Sequence, residues 1–160
     1  MCVLHVTSDR DSLSEYIKTA GLPVYMAYEK GDLIFPNAKD PGRYEDSGFS
    51  CDVSEKGWDD LQGQIEDAIS FLQQFETPLH ELIDRYHITD IRLDFPMTSR
   101  IAMNASYFMQ SDYLPPELLK LAGRLDIGIE ISQYRGSGDD DLREALESMN
   151  TAKQENSPKG

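Results

Sequence analysis

The sequence predicts an α+β fold, a single antiparallel sheet with its helices packed mainly on one face. Three observations carry that prediction. Short runs of β-forming residues with alternating polarity recur near Cys2, Phe49, Ile91 and Ile127. Between the second and third runs, apolar residues at spacings of three and four mark a long amphipathic helix. At 160 residues, 39% of them hydrophobic, the chain suits one core better than two.

The elements follow in order. Cys2 to Thr7 alternates and is rich in β-formers, so it is a strand. Ser12-Leu13-Ser14-Glu15 has the form of a capping box and opens a short helix that Gly21 stops. Val24 to Tyr28, then Glu29-Lys30-Gly31-Asp32, then Leu33 to Phe35 has the pattern of a hairpin closed by Pro36. Asn37 to Gly48 is charged and glycine-rich with little to bury, which makes it a surface loop. Phe49 to Val53 forms the next strand.

Gly57 opens the main helix, whose stripe runs through Trp58, Leu61, Ile65, Ala68, Ile69, Leu72 and Phe75. Thr77-Pro78 restarts the chain as an N-cap and first-turn proline, and a second helix continues to His87. Ile88 to Phe95 and Ile101 to Met109 then alternate and are expected to pair as neighbouring strands. Leu114-Pro115-Pro116-Glu117 opens another helix, and Ile127, Ile129 and Ile131 make the last strand.

From Phe49 to Tyr134 this order is strand, helices, strand, strand, helix, strand, the split βαβ arrangement called ferredoxin-like. The N-terminal strand, helix and hairpin extend it. Residues 1–134 are therefore expected to form one domain. Residues 135–160 divide into a Gly136-Ser137-Gly138 linker, a thin amphipathic helix through Leu142, Ala145, Leu146 and Met149, and a polar disordered tail.

Charge narrows the function classes. A formal net charge of -14 disfavours nucleic acid and anionic membranes as partners and favours a basic protein. No apolar run reaches the roughly 18 to 20 residues that span a bilayer, and the start lacks a signal-peptide pattern, so a cytoplasmic location is expected. Cys2 and Cys51 are too few for a zinc cluster or a disulfide framework, and both are expected as reduced thiols.

No motif for nucleophilic, metal or phosphate chemistry appears. His80 and His87 lack an HExxH pattern, Tyr134-Arg135-Gly136-Ser137-Gly138 lacks the ending of a phosphate loop, and no aspartate group has calcium-loop spacing. No catalytic residue, metal ligand or cofactor is assigned. The distinctive feature is acidic: between Tyr44 and Asp67 lie eight carboxylates against Lys56 alone, about half the net charge.

Solubility is the plain reading of that stretch. The functional reading makes it a docking surface, with Glu45, Asp46, Asp59, Asp60, Glu66 and Asp67 steering a basic partner and Tyr44 and Trp58 as aromatic anchors. A competing reading is a small-ligand binder or enzyme with a pocket beside the sheet, using Arg92, Arg100, His5 or Tyr107. A third pairs sheet edges or open faces into a homodimer.

Ile91-Arg92-Leu93-Asp94-Phe95-Pro96, then Ser111 through Ala122 and Gly128-Ile129-Glu130-Ile131, resembles uncharacterised bacterial domains of unknown function. The likeness covers about the second half of the chain and implies a fold and a bacterial origin, with no catalytic residue. In size and charge the chain also resembles immunity proteins that neutralise antibacterial toxins. That likeness implies a non-enzymatic inhibitor whose acidic face occludes a basic effector.

Overall fold

A computed structural model describes residues 1–103 and 108–134. Five strands, β1 (Cys2–Ser8), β2 (Val24–Tyr28), β3 (Ser47–Ser54), β4 (Asp90–Thr98) and β5 (Gly128–Tyr134), form one sheet in the order β2-β3-β1-β4-β5. The helices are α1 (Ser14–Ala20), α2 (Leu61–Gln74), α3 (Glu76–Arg85), α4 (Arg100–Met103) and α5 (Pro116–Arg124). The class is α+β, as the sequence predicts.

The sheet is mixed, which corrects the expectation of a wholly antiparallel one. β1 pairs antiparallel with both β3 and β4, and β2 pairs antiparallel with β3, but β5 lies parallel to β4. The parallel pair follows from α5, which carries the chain back along the sheet before β5 begins.

Side-chain alternation decides which face is buried. Leu4 and Val6 of β1, Phe49 and Cys51 of β3, and Ile91, Leu93 and Phe95 of β4 turn to one side and join one core. Leu13, and Tyr16 of α1, Ile65, Phe71 and Leu72 of α2, Leu79 and Leu82 of α3, and Leu118 and Leu121 of α5 pack into the same core. The opposite face carries His5, Ser50, Arg92, Asp94 and Glu130 and has no helix layer among the described residues.

Four local expectations are corrected. β2 does not fold back on Leu33–Phe35; it pairs with β3, leaving residues 29–46 as an arm whose own limbs, residues 31–35 and 41–44, are joined by backbone hydrogen bonds around the Leu33–Arg43 bridge. Residues 100–103 are helical, so the expected strand from Ile101 does not form there, and Ala105 and Tyr107 lie outside the described residues. The reason is topological: β1 and β5 occupy both sides of β4 and leave no open edge.

The capping box is also not used. α1 starts after Leu13 without a side-chain cap, while the hydroxyls of Ser12, Ser14 and Ser47 all donate to the Glu29 carboxylate. Gly21 does stop the helix in the left-handed region, at φ 67°. Finally, α2 begins at Leu61 instead of Gly57, because the Asp60 carboxylate accepts from the Gly63 N–H at 2.9 Å and sets the N-cap. Trp58 therefore precedes the helix. The expected linker, helix and tail of residues 135–160 lie outside the described residues.

Candidate functional site

The acidic stretch is divided by the strand it contains. Tyr44, Glu45 and Asp46 precede Ser47 at one end of β3, whereas Asp67 accepts a 2.6 Å hydrogen bond from Ser54 at the other. Seven strand steps separate those ends by roughly 24 Å, several Debye lengths at physiological salt. The two groups do not act as one field, which corrects the expectation of a single acidic face.

At the first end, the Tyr44 ring stacks on Tyr28 with centroids 3.8 Å apart. Tyr28 in turn lies over Gly48: a Cβ there would sit 2.5 Å from the Tyr28 Oη and 2.6 Å from the Val6 carbonyl oxygen. Tyr44 is half-buried in this stack and Glu45 is exposed. Burial foremost, then the Asp46 and Tyr44 charges, raises the Tyr28 hydroxyl above its ordinary pKa of 10.0.

At the second end, a cleft of about 330 Å³ opens where α2 begins. Trp58, Asp59 and Asp60 line it, joined by Arg100, Asp112 and Tyr113 from the stretch after β4. Glu66 is exposed on α2 and is not part of the cleft wall. Three of the eight residues expected to bind a partner are thus brought together.

Each wall has a structural cause. Trp58 stacks on Tyr134 of β5 with ring centroids 4.6 Å apart and 22° between planes, and its carbonyl accepts from the Thr98 N–H at 2.9 Å. Asp60 is committed to capping α2. Asp112 accepts from Gln110 Nε2 at 2.9 Å and faces Arg100 Nη2 at 3.5 Å. Asp59 is exposed and makes no hydrogen bond or ion pair among the described residues.

Beneath the cleft, the Gln64 side chain is fully buried and donates through Nε2 to the Gly57 and Pro96 carbonyls, at 2.8 and 3.0 Å. It ties the loop bearing Trp58 and Asp59 to β4. Gln64 leaves no signal in the sequence, since a glutamine beside the apolar stripe of a helix gives no sign of what it will meet. Asp112 and Tyr113 were missed because nothing in their spacing predicts a return to the α2 N-terminus.

The residues of the competing reading fall apart in space. His5 and Arg92 are cross-strand partners on the open face, where His5 Nδ1 lies 3.0 Å from Ser50 Oγ. Burial first, and the nearby Arg92 charge second, hold the His5 ring below its ordinary value, against the pull of Asp94 and Glu130. Arg92 is bound between Asp90 and Glu130, and Ser132 donates to Asp94 at 2.8 Å. Arg100 belongs to the cleft instead, and Tyr107 lies outside the described residues.

The thiols are free and buried. Burial pushes Cys51 up to about 12 and Cys2 higher still, so neither is a nucleophile at neutral pH. No described helix is long and apolar enough to cross a membrane. Comparisons with protein-family models, curated proteins and solved structures return no match.

Proposed function

We propose that the chain is a binding protein for a basic protein partner and that the Trp58–Asp59 cleft receives a lysine or arginine side chain of that partner. One observation carries the reading: an exposed carboxylate, Asp59, that makes no close ion pair among the described residues and has only the charge of the Met1 ammonium in its neighbourhood, beside an indole stacked on Tyr134. A cation gains from both, by charge pairing and by attraction to the ring face. Three cleft carboxylates against Arg100 leave the pocket net negative.

The setting that fits this reading is that of a bacterial immunity protein occluding a basic toxin, acting by coverage and not by turnover. The finer fold proposal that goes with it is a ferredoxin-like core built from β1 to β4, with α5 and β5 appended. The order β2-β3-β1-β4, with every pairing antiparallel, supports that frame in place of the one from Phe49 to Tyr134.

Trp58 is the only tryptophan, so its fluorescence reports on the cleft alone. Titration with an arginine-rich peptide is expected to change that emission saturably and to weaken as salt rises. Asp59→Lys is expected to reduce affinity by roughly tenfold or more. Salt-independent binding, or an Asp59→Lys variant that binds equally well, removes the cleft reading. Co-purification from the native host tests the immunity setting separately, because a captured basic partner without toxicity excludes it.

A further inference from the structure

We propose that the basic residue received beside Trp58 and Asp59 is the carboxy-terminal lysine or arginine of the partner, with its terminal carboxylate held by Arg100; this rests on the cleft reading above. The residues lining the cleft carry charges of both signs, and their commitments differ. Asp60 is engaged by the Gly63 N–H, and Asp112 accepts from Gln110 Nε2 at 2.9 Å, so Asp59 is the acceptor left to a cation. Arg100 is the one cation among the described lining residues. Its side chain is 57% exposed and meets, among the described residues, only Asp112, at 3.5 Å. A strong charge-assisted hydrogen bond is shorter, about 2.7–2.9 Å. A guanidinium carries a fork of N–H donors that fits a carboxylate bidentately, and one long contact leaves most of that fork to a ligand. The Arg100 main chain is fixed meanwhile, because its N–H donates at 2.9 Å to Oε1 of the same Gln110 that holds Asp112.

Charge complementarity then selects a chain end. A mid-chain lysine or arginine brings a cation and a neutral backbone, so Arg100 would face it with a like charge and nothing to bind. The last residue of a chain adds a carboxylate beside the same side chain and turns that repulsion into a second pair. Size agrees. A cleft of about 330 Å³ lies at the lower end of ligand pockets and is roughly 7 Å on a side, while an extended arginine sets its α-carbon about 6 Å from its guanidinium carbon. Both charges of one terminal residue therefore fit within the cleft. Long-range charge opposes the contact, since a chain of net charge -14 repels a carboxylate, so a preference for one requires a local cation.

Two peptides of one basic sequence ending in arginine, one with a free carboxylate and one as the carboxamide, test this when titrated against the full chain and followed by Trp58 emission. Net charge alone favours the amide. The expected result is the reverse, with the free acid binding roughly tenfold tighter, as a hydrogen bond between charged groups provides. Arg100→Gln is expected to lose that preference while binding the amide at least as well as the wild type does, and Arg100→Lys to keep part of it. Circular dichroism confirms the fold of both variants. An amide bound by the wild type as tightly as the acid overturns the proposal and leaves the cleft reading standing. A preference that survives Arg100→Gln overturns it too, as does free arginine bound as tightly as the acid peptide, which would assign the cleft to a small molecule. If neither peptide binds, the proposal and the cleft reading fall together.

Discussion

Replacing Gln64 by glutamate probes the join between the cleft and the sheet. The amide donates two hydrogen bonds from a fully buried side chain, to Gly57 and Pro96, while its Oε1 is buried without a partner. Glutamate keeps the shape and reverses the chemistry: an ionised carboxylate turns its oxygens toward two carbonyls and donates nothing. An uncompensated buried charge costs about 3–5 kcal/mol at neutral pH. Protonation restores one donor, so part of the loss returns as the pH falls below the raised pKa of that carboxyl. Gln64→Leu removes both hydrogen bonds without adding charge and is expected to cost about 2 kcal/mol. That corresponds to about 4–8 °C in melting temperature for a chain of this size. Urea unfolding followed by Trp58 emission measures both variants. A Gln64→Glu protein as stable at neutral pH as Gln64→Leu refutes the assignment of the amide as a double donor.

Further outcomes follow from other contacts. Asp60→Ala removes the cap of α2 and is expected to cost about 1 kcal/mol, read from the urea midpoint. Gly48→Ala forces the Tyr28 ring from its place and is expected to cost about 1–3 kcal/mol, with loss of the Tyr28–Tyr44 stack in the near-ultraviolet dichroism. Stability is expected to fall with acid in two stages. His5, depressed in the fold, favours the native state above its unfolded value near 6.5 and loses that contribution as the pH drops toward the folded value. Glu29, lowered first by the Ser14 hydroxyl and also by Ser12 and Ser47, contributes above its unfolded value of 4.5 and loses that as the pH falls through the folded one. His5→Gln flattens the upper stage of the measured profile and Ser14→Ala the lower.

The helices were legible because their stripes are long and their partners are generic: Ile65, Ala68 and Leu72 need only an apolar surface to face. Strand pairing was less legible, since alternation tells which side of a strand is buried but not which strand lies beside it. Leu33–Phe35 and Ile101–Met109 both alternate, yet β3 takes the edge of β2, and β1 and β5 take both edges of β4. Caps failed for a related reason. Ser12 and Glu15 have the spacing of a capping box, but a carboxylate 17 residues from Ser12 in sequence, Glu29, claims the Ser12 hydroxyl. In the cleft, Trp58, Asp59 and Asp60 were visible as adjacent residues. Asp112 and Tyr113 were not, because only the path of the chain after β4 brings them back.

The strand at the middle of the sheet is the first to be synthesised. β1 ends at Ser8, but its two neighbours end at Ser54 and Thr98, so its antiparallel ladders join residues as far apart as Thr7 and Asp90. During translation the segment carrying Leu4 and Val6 waits unpaired until β3 has emerged, and its other edge stays open until β4 follows. Such long-range closure folds slowly and exposes an aggregation-prone strand meanwhile. A net charge of -14 opposes contact between two such chains during that interval.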